Sequence, residues 1–261
     1  MSLADINPLY SLAGLAVGVL VGMTGVGGGS LMTPLLVLAF GFHPATAVGT
    51  DLLYASATKA VGTVVHGAGG TVDWRVVRRM AAGSVPATIL TLVVLARIGV
   101  KLEGTAHVMT VMLGIALVAT AVAIVFRDRI VARFARRRPL RPEREVAMLT
   151  VVLGAVLGVL VSLSSVGAGA LGMTVLLILY PQLPINRLVG SDIAHAVPLT
   201  LVAGAGHWWL GSVDFALLAS LLIGSVPGIV VGSLVATRVS DRVLRPVLAT
   251  TLAVVGGKLL F

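Results

Sequence analysis

The stretch Gly22-Met23-Thr24-Gly25-Val26-Gly27-Gly28-Gly29-Ser30 decides how this chain is read. It is a glycine-rich interruption between two apolar runs, Leu9 to Val21 and Leu31 to Phe42, each of about 12 or 13 residues. As helix, such a run spans roughly 18 to 20 Å, against about 30 Å for the hydrocarbon core of a bilayer. The two therefore read as half-helices around a break. Pro34 falls in the first turn of the second run, where a missing N–H is tolerated.

The membrane setting follows from composition. Of 261 residues, 57% are hydrophobic and 11% charged, with a mean hydropathy of +1.06, which leaves a soluble domain too little polar surface. Val76 to Leu95, Val108 to Phe126 and Phe215 to Val235 each reach the roughly 20 apolar residues of a spanning helix, so the expected fold is an all-α, polytopic membrane bundle. The short alternating segments of a β-barrel are absent. The net charge of +9 does not point to nucleic acid, because eight of the nineteen basic residues lie between Arg127 and Arg144, as expected for a cytoplasmic loop. With no cysteine, disulfides, thiol nucleophiles and thiolate metal sites are excluded. No cofactor motif stands out, and the N-terminus carries no basic segment of the kind that precedes a cleaved signal peptide.

The break recurs. Ser162-Leu163-Ser164-Ser165-Val166-Gly167-Ala168-Gly169-Ala170 has similar surroundings, and the halves stay in register around it. Gly18-Val19-Leu20-Val21 matches Gly158-Val159-Leu160-Val161, Val48-Gly49-Thr50-Asp51 matches Val189-Gly190-Ser191-Asp192, and Gly83-Ser84-Val85-Pro86 matches Gly224-Ser225-Val226-Pro227. His66 pairs with His207, Asp73 with Asp214 and Arg97 with Arg238, the offset changing by one residue between Ala45 and Gly49. Duplication predicts a first membrane repeat over 1–126, a basic linker over 127–145 and a second repeat over 146–261.

Charge sets the orientation. Arg75, Arg78 and Arg79 follow the second long element of the first half, whereas the matching turn, His207 to Asp214, has no Lys or Arg. At the next turn the bias reverses, with Arg238, Arg242 and Arg245 against Arg97, Lys101 and Glu103. If basic turns and linker are cytoplasmic, the halves are inserted upside down relative to each other. Each half then needs an odd number of crossings, met by three long helices plus a broken re-entrant pair. Both termini are expected outside.

Non-helical backbone at membrane depth is tolerated only where protein buries it or where it lines a wet cavity. The half-helix after the first break starts near Gly28-Gly29-Ser30, so its free N–H groups and positive dipole end point into the membrane. Glycine permits close approach of a ligand to that backbone. An anion site near the midplane is therefore expected from the backbone at Gly25, Gly27, Gly28, Gly29, Gly167 and Gly169, with hydroxyls from Thr24, Ser30, Ser164 and Ser165. The competing reading is close helix packing, which also accounts for Gly14 and Gly18. A nucleotide loop lacks its Gly-Lys-Ser/Thr ending.

Asp51 and Asp192 follow Thr50 and Ser191 in matching places and are candidates for coupling or charge pairing, or else stabilise their own helix starts. Lys59, whose counterpart is Thr200, needs a partner or water, since a bare ammonium in lipid costs at least about 2.5 to 3.5 kcal/mol. His195, one turn from Asp192, is the candidate for a proton-linked switch, while His66 and His207 suit helix C-termini. Trp208 and Trp209 read as interfacial anchors and Arg187 as positive-inside placement.

Gly25-Val26-Gly27-Gly28-Gly29 followed by Pro34, then Pro44, Ala47-Val48-Gly49-Thr50 and Gly83-Ser84-Val85-Pro86, resemble the sulfite exporter TauE/SafE family of membrane transporters over nearly the whole chain. The resemblance implies a multi-pass permease of bacterial inner-membrane type that moves small anions, chiefly sulfur oxyanions and organosulfonates, usually outward. Its glycine motif maps onto Gly25 to Ser30 and less faithfully onto Val166 to Ala170, where Ser165 and Ala168 replace glycines and Thr174 stands for Pro34. The expected partners are the lipid bilayer, a small anion and, as a coupling ion, the proton. An anion channel is the nearest alternative, and an intramembrane enzyme built on Ser164 and His195 the more distant one.

Overall fold

The computed structural model describes residues 6–24, 29–135, 142–236 and 241–261, and all regular structure among them is helical. The first half holds α1 (Pro8–Thr24), α2 (Gly29–Leu38), α3 (Pro44–Ala68), α4 (Trp74–Ile98) and α5 (Glu103–Ala135). The second holds α6 (Glu143–Ser164), α7 (Ala170–Leu179), α8 (Ile185–Trp209), α9 (Phe215–Ala236) and α10 (Asp241–Leu260). Five stretches, in α4, α5, α6, α8 and α9, are long and apolar enough to cross a membrane. The basic linker begins as helix, since α5 continues to Ala135.

Local chemistry explains several helix starts. The Asp73 carboxylate accepts from the N–H groups of Arg75 at 3.0 Å and Val76 at 3.3 Å, capping α4. Asp214 does the same for α9, accepting from Leu217 N–H at 2.9 Å. Proline opens α3 and precedes α8.

The segment before each break is longer than a half-helix. α1 has 17 residues and α6 has 22, while α2 and α7 have 10 each. In α6 the helix absorbs the serines that open the second break. Ser162 Oγ donates to Gly158 O at 2.7 Å and Ser164 Oγ to Leu160 O at 2.7 Å, so these hydroxyls are satisfied within the helix. The hairpin arms are accordingly unequal.

Contacts between the halves are reciprocal. Asp214 N–H donates to Thr50 Oγ1 at 3.0 Å, and in the matching place Asp73 N–H donates to Ser191 Oγ at 2.8 Å. α1 packs on α9 as α6 packs on α4, and in both pairs glycines carry the approach. A Cβ at Gly18 would lie 2.6 Å from Ser225 O, and one at Gly158 would lie 2.5 Å from Ser84 O. Equivalent helices also meet each other and run antiparallel: Leu53 lies against Gly204 and Gly62 against Ile193 across α3 and α8, while Gly114 meets Leu260 and Val118 meets Gly256 across α5 and α10.

Three ion pairs gather at one end of the bundle. Glu143 Oε1 pairs with Arg79 at 2.8 Å and Arg75 at 3.2 Å, joining the α3–α4 turn to the start of α6, and Arg245 pairs with Asp128 at 3.6 Å, joining α10 to the end of α5. The start of α8 is held there by the Ser191–Asp73 bond. At the far end lie the start of α3, through Thr50 and Asp214, and the start of α1, through Asn7 N–H on Ser220 Oγ at 3.1 Å. The first hairpin, α1–break–α2, thus begins and ends at the far end, and α6–break–α7 at the linker end.

Gly18→Val drives a branched side chain into the α9 backbone and should cost at least about 1 to 3 kcal/mol, read as a lower melting temperature in detergent. Gly67→Ala, where a Cβ meets nothing within 4 Å, should leave the melting temperature unchanged. Equal behaviour of the two variants would show that the α1–α9 approach does not depend on glycine.

Candidate functional site

The second break is built by a sequence of substituted hydrogen bonds. Ser165 N–H closes α6 on Val161 O at 2.8 Å, but Ser165 itself turns into the left-handed region with φ 58°, so the helix cannot continue. Val166 N–H turns to Ser164 Oγ at 3.2 Å instead of Ser162 O. The Ser162 carbonyl is taken up by His207 Nε2 of α8 at 2.9 Å. Gly167 follows with φ 120°, a conformation that side chains disfavour, and α7 starts at Ala170.

This leaves a run of unused donors. Among the described residues, the N–H groups of Gly167, Ala168, Gly169, Ala170 and Leu171 find no acceptor. Val166 to Ala170 line a small cavity of about 20 Å³ in the middle of the bundle, together with Ser30, Lys59, Thr120, Ser165 and Thr200. Both repeats therefore contribute, and Lys59 and its counterpart Thr200 face the same space. The cavity has room for about one water-sized group. Two buried hydroxyls on its wall, Thr120 Oγ1 and Ser165 Oγ, have no hydrogen-bond partner.

A cation on the wall, Lys59, and a buried carboxylate behind it, Asp51, both lie near these donors. Lys59 is half-buried and makes no ion pair within 4.0 Å among the described residues. Asp192, and more weakly Asp51, attract it from farther away. Asp51 is fully buried, with Thr33 Oγ1 donating to its Oδ2 at 2.5 Å and the Ser165 hydroxyl facing the same carboxylate. The site thus combines a cation, free amides and hydroxyls, a combination that stabilises a small anion once water is excluded.

The residues anticipated from sequence separate into groups. Gly25, Gly27 and Gly28, with the Thr24 side chain, lie outside the described residues. Gly29 opens α2, and Ser30 is buried on the cavity wall. Ser165, Gly167, Gly169 and Lys59 meet there too, whereas Ser164 spends its hydroxyl on Leu160 O and the Val166 backbone. Thr50 and Ser191 are joints between the halves. His195 is buried with Nε2 2.9 Å from Ser84 Oγ, so it is paired with neither Asp192 nor Ser164. Asp192 borders a second, larger cavity of about 260 Å³ that meets the small one at Gly169 and Ala170. Among the described residues, no cluster of three His, Asp or Glu side chains is placed to hold a metal ion.

Thr33, Thr120 and His207 carry roles that the sequence did not disclose. A repeat argument could have found Thr33. α2 and α7 match from Gly29 and Ala170, so Thr33 corresponds to Thr174, each the same distance before its aspartate. The one-residue change of register thus falls in the break, and Thr174 does not stand in for Pro34.

The family model described as sulfite exporter TauE/SafE matches residues 10–259. The probable membrane transporter protein YjnA of Bacillus subtilis (strain 168) is 38% identical over 256 residues, covering 95% of this chain and 98% of that protein. The probable membrane transporter protein YdhB of the same organism is 28% identical over 255 residues, covering 97% and 100%. No solved structure matches the chain.

Thr33→Val removes the donor to a buried carboxylate and should lower stability by about 1 to 3 kcal/mol in detergent unfolding, with Thr33→Ser restoring most of it. A Val variant as stable as the parent would mean that Asp51 is satisfied otherwise.

Proposed function

The chain belongs to the sulfite exporter TauE/SafE family, and on that premise we propose that it is a secondary transporter moving a small anion, a sulfur oxyanion or organosulfonate such as sulfite, outward across a bacterial inner membrane. The observation that carries the reading is the central cavity, where unsatisfied amides of one repeat face Lys59 and Ser30 of the other. These groups replace the hydration of an anion without reorganising, as preformed helix-terminus sites do in other transporters.

Several features support alternating access over an open pore. The cavity is small and lined from both hairpins and from α3, α5 and α8, and the contacts between halves are reciprocal, so one arrangement of the repeats implies its mirror opening. With basic turns in the cytoplasm, the linker end faces inward and both termini outward, each hairpin re-entering from its own side. Asp51 and Asp192, buried and flanking Lys59 from the two ends, are suited to take up a proton as the anion leaves. A channel would share the site but show conductance that does not saturate. An enzyme built on Ser164 and His195 is disfavoured, because both side chains are bonded elsewhere.

Purified protein in liposomes should show saturable flux of sulfite or thiosulfate or a small sulfonate, tested in a panel with carboxylates and with and without a pH gradient. Movement of a cation or neutral solute with no anion moved would overturn the assignment. Lys59→Met should reduce anion flux by at least about tenfold, the loss of one charge-assisted partner, while the protein still purifies as a folded species. For orientation, Trp209→Cys and Arg133→Cys should react with an impermeant reagent from opposite sides of the membrane; reaction from one side would sink the proposed topology.

A further inference from the structure

The geometry points to a second anion-binding station, a vestibule at the linker end that loads the central site. It rests on the anion reading above and adds to it a place, a set of residues and a direction. The larger cavity, about 260 Å³, is lined by Arg127 of α5 and Arg245 of α10 at one side and by Thr174, Asp192 and the start of α7 at Gly169 and Ala170 at the other. Its inner wall is the outer wall of the central cavity, since both are bounded by Gly169 and Ala170.

The charges on its walls make this a binding place and not just a gap. Two guanidiniums from different helices border one space, Arg245 partly exposed and paired loosely with Asp128 at 3.6 Å. A planar guanidinium matches an oxyanion with paired N–H donors, so the arginines favour sulfonate, sulfite or sulfate over a halide. At the depth of Asp192, Oδ1 is buried without a hydrogen-bond partner and lies against Gly172, leaving an unsatisfied carboxylate on the inner wall. That carboxylate repels an anion from stopping there, and Lys59 beyond it draws the anion on.

The vestibule has no twin. The repeat counterpart of Arg245 is Gly104, so the matching region of the other repeat lacks that guanidinium. The pair of guanidiniums at the linker end therefore biases anion loading toward that end. The space is large enough for an organosulfonate with an attached carbon group, whereas the central cavity, with room for about one water-sized group, must widen before it takes the head.

The test compares the parent protein with Arg127→Gln/Arg245→Gln in oriented liposomes, using sulfite and a short alkanesulfonate as probes offered from either face. The half-saturation concentration from the linker face should rise roughly threefold to tenfold, with maximal flux and the value from the far face unchanged. Asp128→Asn, which removes one acidic neighbour of Arg245, should lower it, and Arg127→Lys/Arg245→Lys should recover charge attraction for sulfite while losing preference for the sulfonate. Equal changes at both faces, or none, would overturn the vestibule while leaving the central site intact. Failure of the parent protein to bind or move either probe would overturn the anion reading and the vestibule with it. Equilibrium binding of radiolabelled sulfite to the solubilised double variant separates these outcomes from misfolding: loss of the weaker class of sites with the tighter class retained is the result expected.

Discussion

A helix that stops inside an apolar bundle exposes backbone donors that lipid cannot satisfy, and the rest of this structure can be understood as an answer to that constraint. At Ser165 the chain leaves α6 in a left-handed turn, and among the described residues five successive N–H groups beyond Val166 are left without acceptors. Two of the groups cut loose nearby have specific partners: Ser162 O takes His207, and Val166 N–H takes Ser164 Oγ. The five that remain all lie at or beside one cavity wall. Donors left over at such a break are tolerated if something polar is admitted to them.

Holding that break in place requires close and rigid packing around it. Glycines in α1, α4, α6 and α9 bring backbones together at distances no Cβ would permit, and the interrepeat bonds of Thr50 with Asp214 and Ser191 with Asp73 pin the ends of the long helices. The same packing explains why hydroxyls that looked like ligands in the sequence are joints in the fold. Function then falls to residues where the repeats differ. Lys59 faces Thr200, and Tyr54 occupies the place of His195, so the two halves share a frame without sharing chemistry.

Much of the frame is legible in the sequence because it follows from short-range rules. The apolar runs, the glycine and serine breaks, the capping aspartates and the matched segments are all local patterns. The lengths of the arms were less legible. Ser162 and Ser164 suggest a break by composition, yet their hydroxyls bond back one turn and carry the helix through to Ser164, giving α6 22 residues where a half-helix was expected. Whether a serine interrupts a helix or lies within it depends on which acceptor it reaches, and residue type alone does not decide that. The register change behaved similarly. Alignment of residue types placed it between Ala45 and Gly49, whereas the matched helices α2 and α7 put it in the break itself.

By itself, the sequence determined that this is a helical membrane protein with matching segments in its two halves, two short-helix breaks and its basic residues concentrated in one connecting segment, because each of those properties is carried by neighbouring residues. Only the tertiary structure decided which groups meet. Lys59 is one lysine in a helix until Thr120 of α5, Ser30 of α2 and the amides after Ser165 are brought around it, and Arg127 and Arg245 are positive-inside residues until one cavity joins them. The physical reason is that an anion site is defined by several donors within a few ångströms, and such a convergence from distant segments leaves no pattern along the chain.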